Sequence, residues 1–157
     1  MTRTQIVALL NDLIETSHDG EKGYAKAARE VADPSLKSLL VEGAMRCRGG
    51  ARELEAEVRA MGMEPARGGT LAGALHRGWI SLRASANSRD AHAVLAECER
   101  GEDFAKARFA MALEEDLPPE LREIVRRQYE GVVANHDRVR QLRDRFPGPG
   151  TFYPDNI

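Results

Sequence analysis

Between about Thr4 and Val31, apolar or small residues return at Ile6, Leu10, Leu13, Ser17, Gly20, Tyr24 and Ala28. Steps of three and four place them on one face of a helix. Asp33-Pro34 follows, a side chain suited to cap a helix and a proline suited to its first turn. A second stripe then runs through Leu36, Leu39, Leu40, Gly43, Cys47, Gly50, Leu54, Val58 and Met61, and Gly62 ends it. The break between these two helices is only a few residues long, so they must fold back on each other as an antiparallel hairpin.

Pro65, Gly68 and Gly69 interrupt the pattern, and Thr70 can cap a short helix over about 71–84 with Leu71, Leu75, Trp79 and Leu82 on one face. A second break at 85–90 precedes a third long stripe, over about 90–115: Leu95, Cys98, Gly101, Ala105, Phe109 and Ala112. Leu117-Pro118-Pro119 closes it and opens a fourth, over about 118–145, through Leu121, Ile124, Gln128, Val132, Asn135, Val139 and Leu142. The tail from 147 to 157 is too rich in proline and glycine to be helical. The pattern therefore predicts an all-α fold: an antiparallel four-helix bundle over 1–146 and a separate tail. Its two tight hairpins are joined by the long segment 62–89. A helix of about 15 residues spans roughly 22 Å, enough to cross most of the bundle. Two hairpins and a long crossover make the ferritin-like arrangement; an up-down-up-down bundle with the short helix packed outside is the alternative.

Polar residues on stripes that should be apolar carry the chemical information. Gly20-Glu21 and Gly101-Glu102 occupy similar mid-helix places, and their surroundings, DGEKGYAKAA and RGEDFAKARF, read as a weak internal repeat with one residue of slippage. Depth along the helices brings Glu21, Glu42, Glu102, Gln128 and Glu130 to the middle of the bundle, with Arg46 and Tyr24 close by. Carboxylates on facing helices are how di-iron and di-manganese bundles hold their metals, so iron or manganese is the implied cofactor. Against this, Glu42 and Glu130 also suit a solvated helix face. Arg46, if turned inward, can take the place of a metal and satisfy the carboxylates as a core ion pair.

Histidine argues against a complete dinuclear site, which needs Glu-x-x-His on two helices. The second helix offers Glu42-x-x-Met45 and the fourth Glu130-x-x-Val133, with His136 about 9 Å further along the axis. His136 borders the apolar stripe and reads either as a ligand or as a hydrogen-bonded core histidine. The only literal match, Glu15 to His18, lies off the stripe, and His76 and His92 fall where surface placement is the default.

Composition excludes several other functions. The 157 residues are 42% hydrophobic and 31% charged with a formal net charge of −2, and the charges are interleaved, so no nucleic-acid footprint is present. No apolar run approaches the roughly 20 residues that span a bilayer. Asn11 and Asp12 interrupt the N-terminal apolar stretch, which argues against secretion. Cys47 and Cys98 are expected as buried, reduced thiols in a cytoplasmic protein. No phosphate loop or paired nucleophile is visible, so the sequence leans away from an enzyme.

The chain resembles an uncharacterised bacterial family of ferritin-like four-helix-bundle proteins, catalogued as a domain of unknown function. LNDLIETSHDGEKGY at 10–24, LAGALHRGW at 71–79, ECERGED at 97–103 and RRQYEGVVANHDRVRQLRD at 126–144 carry the resemblance. It implies a ferritin-like fold in the bacterial cytoplasm, a link to stress and no established activity. Set against iron-oxidising ferritin subunits, Glu21, Glu102 and Gln128 are similar to the glutamate, glutamate and glutamine of the first, third and fourth helices. Glu42 stands for the second-helix glutamate, with Met45 where its partner histidine would be. The reading is thus a non-enzymatic or degenerate ferritin-like bundle whose core carboxylates hold one metal weakly or pair with arginine, with oxidase- or peroxidase-like chemistry only if iron or manganese binds. The rival is a helical interaction protein that forms homo-oligomers and meets a protein partner through Trp79, Phe146, Phe152 and Tyr153.

Overall fold

The computed structural model describes residues 1–68 and 90–146. The expected short helix over 71–84, with Trp79 and His76, and the tail from 147 onward lie outside the described residues. Four helices make up the rest: α1 Arg3–Glu30, α2 Pro34–Ala60, α3 Ala91–Glu114 and α4 Pro119–Arg145.

Each boundary has a local cause. Thr2 and Gln5 form a reciprocal capping box at the start of α1, with bonds of 3.1 and 2.8 Å that satisfy two otherwise orphaned amides. Asp33 accepts from the Leu36 amide at 2.8 Å and Pro34 supplies the first turn of α2. Gly62, at φ +76°, ends that helix in a conformation a side chain would resist. Asp90 caps α3 through the amides of His92 and Ala93. The α3–α4 turn has no side-chain cap. Instead, Arg122 donates to the exposed carbonyls of Leu113, at 2.7 Å, and Glu115.

Pairings between helices fix the topology. Tyr24 meets Glu102 and Asp12 meets Arg108, so α1 and α3 run antiparallel. Glu53 meets Arg127 and Glu42 meets Arg138, so α2 and α4 do too. α2 and α3 are consequently parallel and diagonal, and the 61–90 connection must carry the chain from one end of the bundle to the other. This is the ferritin-like arrangement. The three seams α1–α2, α3–α4 and α1–α3 are well packed, whereas α2 and α4 approach only loosely.

The core comes in two apolar parts. One gathers Leu10, Leu13 and Ile14 of α1 with Leu54, Val58, Phe109 and Val125. The other gathers Tyr24 and Ala27 with Leu36, Leu40, Leu95 and Val139. Between them lies a layer that includes the buried polar residues Thr16, Ser17, Glu102 and His136.

Candidate functional site

Each helix contributes one residue to the centre of this layer: Tyr24 from α1, Arg46 from α2, Glu102 from α3 and Asn135 from α4. Glu102 is only 2% exposed, so its charge must be met inside the protein. Its Oε1 accepts from Tyr24 Oη at 2.6 Å, Arg46 Nη2 at 2.5 Å and Asn135 Nδ2 at 2.9 Å. Asn135 Nδ2 also lies 2.6 Å from Tyr24 Oη. Oε2 of the same carboxylate is buried and has no hydrogen-bond partner among the described residues.

Two glycines let this constellation close. A Cβ on Gly43 would come within 3.0 Å of the Tyr24 ring, and one on Gly20 within 2.8 Å of Cys47 Sγ. Bare backbone at these places allows α1 and α2 to approach closely. Burial dominates the acidities nearby. It raises Tyr24 well above its ordinary value, helped by Glu102 and Cys98. It pushes Cys47 up to about 12 despite the opposing charge of Arg46, and raises Cys98 further. Burial works to lower Arg46, but Cys47, Glu102 and Tyr24 outweigh it and the net direction is upward. The thiols are therefore held neutral, which is the inert state of a buried cysteine.

Beside the ion pair lies a cavity of about 250 Å³, reaching the loose seam between α2 and α4. Thr16, Ser17, Glu102 and Phe109 line its inner part, and Gly49 and Gly131 lie at the seam.

The remaining sequence candidates lie elsewhere. Glu21 is a residue out of phase with the buried Gly20, a rotation of about 100°. It faces His18 at 3.7 Å and Arg48 at 3.8 Å with its side chain 30% exposed. Glu42 is exposed beside Arg138, and Glu130 is exposed and paired with Arg126. Gln128 donates to the Gly50 carbonyl and to Glu53, both at 3.2 Å, across the α2–α4 seam. Of the proposed ligand set, only Glu102 has its carboxylate in the central layer.

A two-metal core does not fit these residues. The buried carboxylate of Glu102 already accepts three donors on one oxygen, and a guanidinium stands against it. A cation placed there would meet a fixed positive charge at short range.

His136 belongs to a second cluster at the rim of the same layer. One potential ligand atom from each of Glu99, Asp103 and His136 lies within 4.8 Å of the others. His136 Nε2 is 2.6 Å from Asp103 Oδ1, and Nδ1 is 3.3 Å from Asp137. Arg143 occupies Glu99. The sequence reading missed Glu99 and Asp103, and it placed Asn135 on the inward stripe without a role in the site. Glu99 and Asp103, one turn apart on α3, were legible as a pair, but only the α3–α4 register aligns them with His136.

Fold and layer together define a ferritin-like four-helix bundle with a polar core. The chain belongs to the family described as "Domain of unknown function (DUF2383)", whose model matches residues 5–115. Among solved structures, it is similar to the conserved hypothetical protein rv2844 from Mycobacterium tuberculosis, with a TM-score of 0.77 and 13% identity over 97% of this chain and 100% of that one. It is also similar to a mutant of Dps1 from Mycobacterium smegmatis, with a TM-score of 0.74 and 17% identity over 90% and 96%. These likenesses speak to the fold. No curated protein matches the sequence. Among the described residues, no helix is long and apolar enough to cross a membrane.

Proposed function

We propose that this protein is a non-enzymatic ferritin-like bundle in which arginine stands where a core metal would be, and that it acts by assembling with copies of itself. One observation carries the reading: Arg46 Nη2 lies 2.5 Å from Glu102 Oε1 at the junction of all four helices. A charge pair that engages every helix is broken by a slip of any one of them, and fixing register is the best-attested use of polar groups in a core. The assembly half draws support from large apolar side chains left exposed on α2, Val41 at 43% and Met45 at 67%. Family resemblance supports a bacterial, cytoplasmic setting linked to stress.

The test is elemental analysis of untagged protein after incubation with iron(II) and manganese(II), run beside a sedimentation measurement. The reading expects an oligomer that holds no metal at Glu102. A tightly held metal lost in Glu102→Ala but retained in His136→Ala would sink it. A second reading is favoured by the rim cluster: Glu99, Asp103 and His136 hold one divalent cation weakly after displacing Arg143. In that case binding is millimolar to micromolar, and His136→Ala abolishes it.

A further inference from the structure

Among the described residues, packing explains Gly50 of the α2–α4 seam, where a Cβ would lie 3.2 Å from Gln128, but it does not explain Gly49 and Gly131. A Cβ built on Gly49 meets nothing within 4 Å, and one on Gly131 meets only Arg46 Cδ at 3.8 Å, an ordinary contact. Alanine would fit both places and would favour both helices. This contrasts with Gly20 and Gly43, where a Cβ would collide with a neighbour. What Gly49 and Gly131 leave open is access to the cavity of about 250 Å³ beside the core ion pair.

The lining says what would fit. An apolar cavity of about 150 Å³ accommodates benzene, so about 250 Å³ has room for roughly ten non-hydrogen atoms. Phe109 and Val132 provide apolar wall. Each of the two lining cations has a carboxylate partner, Arg46 in Glu102 at 2.5 Å and Arg127 in Glu53 at 2.6 Å, so the cavity offers no net charge to an ion. Groups of both kinds are left over: Arg46 Nε is a buried donor with no partner among the described residues, and the acceptors outnumber it. Thr16 and Ser17 spend their hydroxyl protons on the carbonyls of Asp12 and Leu13, each at 2.8 Å, which leaves only lone pairs. Glu102, 2% exposed and part of the lining, keeps Oε2 without a partner. A buried acceptor left unmade is costly, and a donor delivered there is rewarded.

We propose that this cavity is a binding site for a small, neutral, largely apolar molecule of one or two fused rings carrying a hydroxyl, which donates to the acceptors around Glu102. The site is independent of whether a metal binds at the rim, because Glu99, Asp103 and His136 do not line the cavity. Ligand entry is through the α2–α4 seam, and the two glycines are the gap it uses.

The test uses 2-naphthol as probe and 2-fluoronaphthalene as its isostere without a donor, titrated into the full chain at neutral pH and followed by fluorescence and amide chemical shifts. Two plugging variants, Gly49→Leu and Gly131→Leu, are measured in parallel with their melting temperatures. The expected result is one saturable site per chain for 2-naphthol, with shifts at Gly49, Phe109 and Gly131. The fluoro compound should bind at least tenfold more weakly, and whichever plugged variants remain folded should also lose at least tenfold. Should both plugged chains misfold, the amide shifts of the parent protein decide alone. Absence of saturation, shifts confined to other surfaces, or undiminished binding in a folded plugged variant would overturn the site. Equal affinity of the two probes would overturn the donor requirement on which the ligand class rests.

Discussion

Removing the Arg46 guanidinium is the sharpest probe of the polar layer. Arg46→Ala leaves the Glu102 carboxylate 2% exposed, with Tyr24 and Asn135 still donating but no countercharge. Stranding one member of a fully buried pair costs about 3–5 kcal/mol. Arg46 is itself 30% exposed, so part of its field is already screened by water, and the low end, about 3 kcal/mol, is the appropriate figure. Unfolding entropy near 2.1 cal/mol/K per residue gives about 330 cal/mol/K for the 157 residues. The melting temperature should therefore fall by about 9 °C. The assay is thermal unfolding by circular dichroism near neutral pH, with urea midpoints as a second measure. Replacing both members together, as Arg46→Met with Glu102→Gln, removes the stranded charge and should return most of the loss. A single variant melting within about 2 °C of the parent, or a double variant no better than the single, would refute a pair that holds the four helices together.

The glycines give a prediction of opposite sign at two positions. Gly49→Ala should stabilise by about 0.5–1 kcal/mol because the helix gains and nothing is met. Gly20→Ala should destabilise by about 1–3 kcal/mol because its methyl meets Cys47 Sγ at 2.8 Å, and urea midpoints of the two variants check both signs. Alkali should unfold the protein through its buried acids. Cys47 is raised from 9.0 to about 12, and Cys98 and Tyr24 are raised as well, so the unfolded chain releases protons that the folded chain retains. Their stabilisation is complete below pH 9 and is lost as pH climbs, by about 4 kcal/mol for Cys47 alone near pH 12. A urea midpoint unchanged between pH 8 and 11 would contradict this, and Cys47→Ala with Cys98→Ala should flatten the slope.

The helices were legible because the chain punctuates itself. Asp33-Pro34 and Leu117-Pro118-Pro119 fix two hairpins from local chemistry alone, and the observed bounds fall within a residue of those expected. The site was legible only in composition. Gly20-Glu21 and Gly101-Glu102 look alike, yet Glu102 is turned into the core and Glu21 toward Arg48. At this depth α3 buries Gly101 and Glu102, whereas α1 buries Asp19 and Gly20 and leaves Glu21 half out. A repeat fixes the spacing of residues and leaves open which neighbour each one faces. That depends on helix rotation, and a shift of one residue turns a side chain through about 100°. The rim cluster eluded the sequence for a related reason, since its members meet only through the register between α3 and α4.

The division into two hairpins also sets an order of assembly. Each hairpin closes a short loop and can form as soon as its own residues leave the ribosome, the first before the second is synthesised. Docking of α1 on α3 must instead wait for partners separated by the whole connection. The central layer draws one residue from each helix, so it cannot exist in either hairpin alone. It reports on the final docking, and a hairpin pair joined one turn out of register would bury Glu102 without Arg46. The ion pair thus acts late, as a check on alignment, and substitutions in it should hasten unfolding far more than they slow folding.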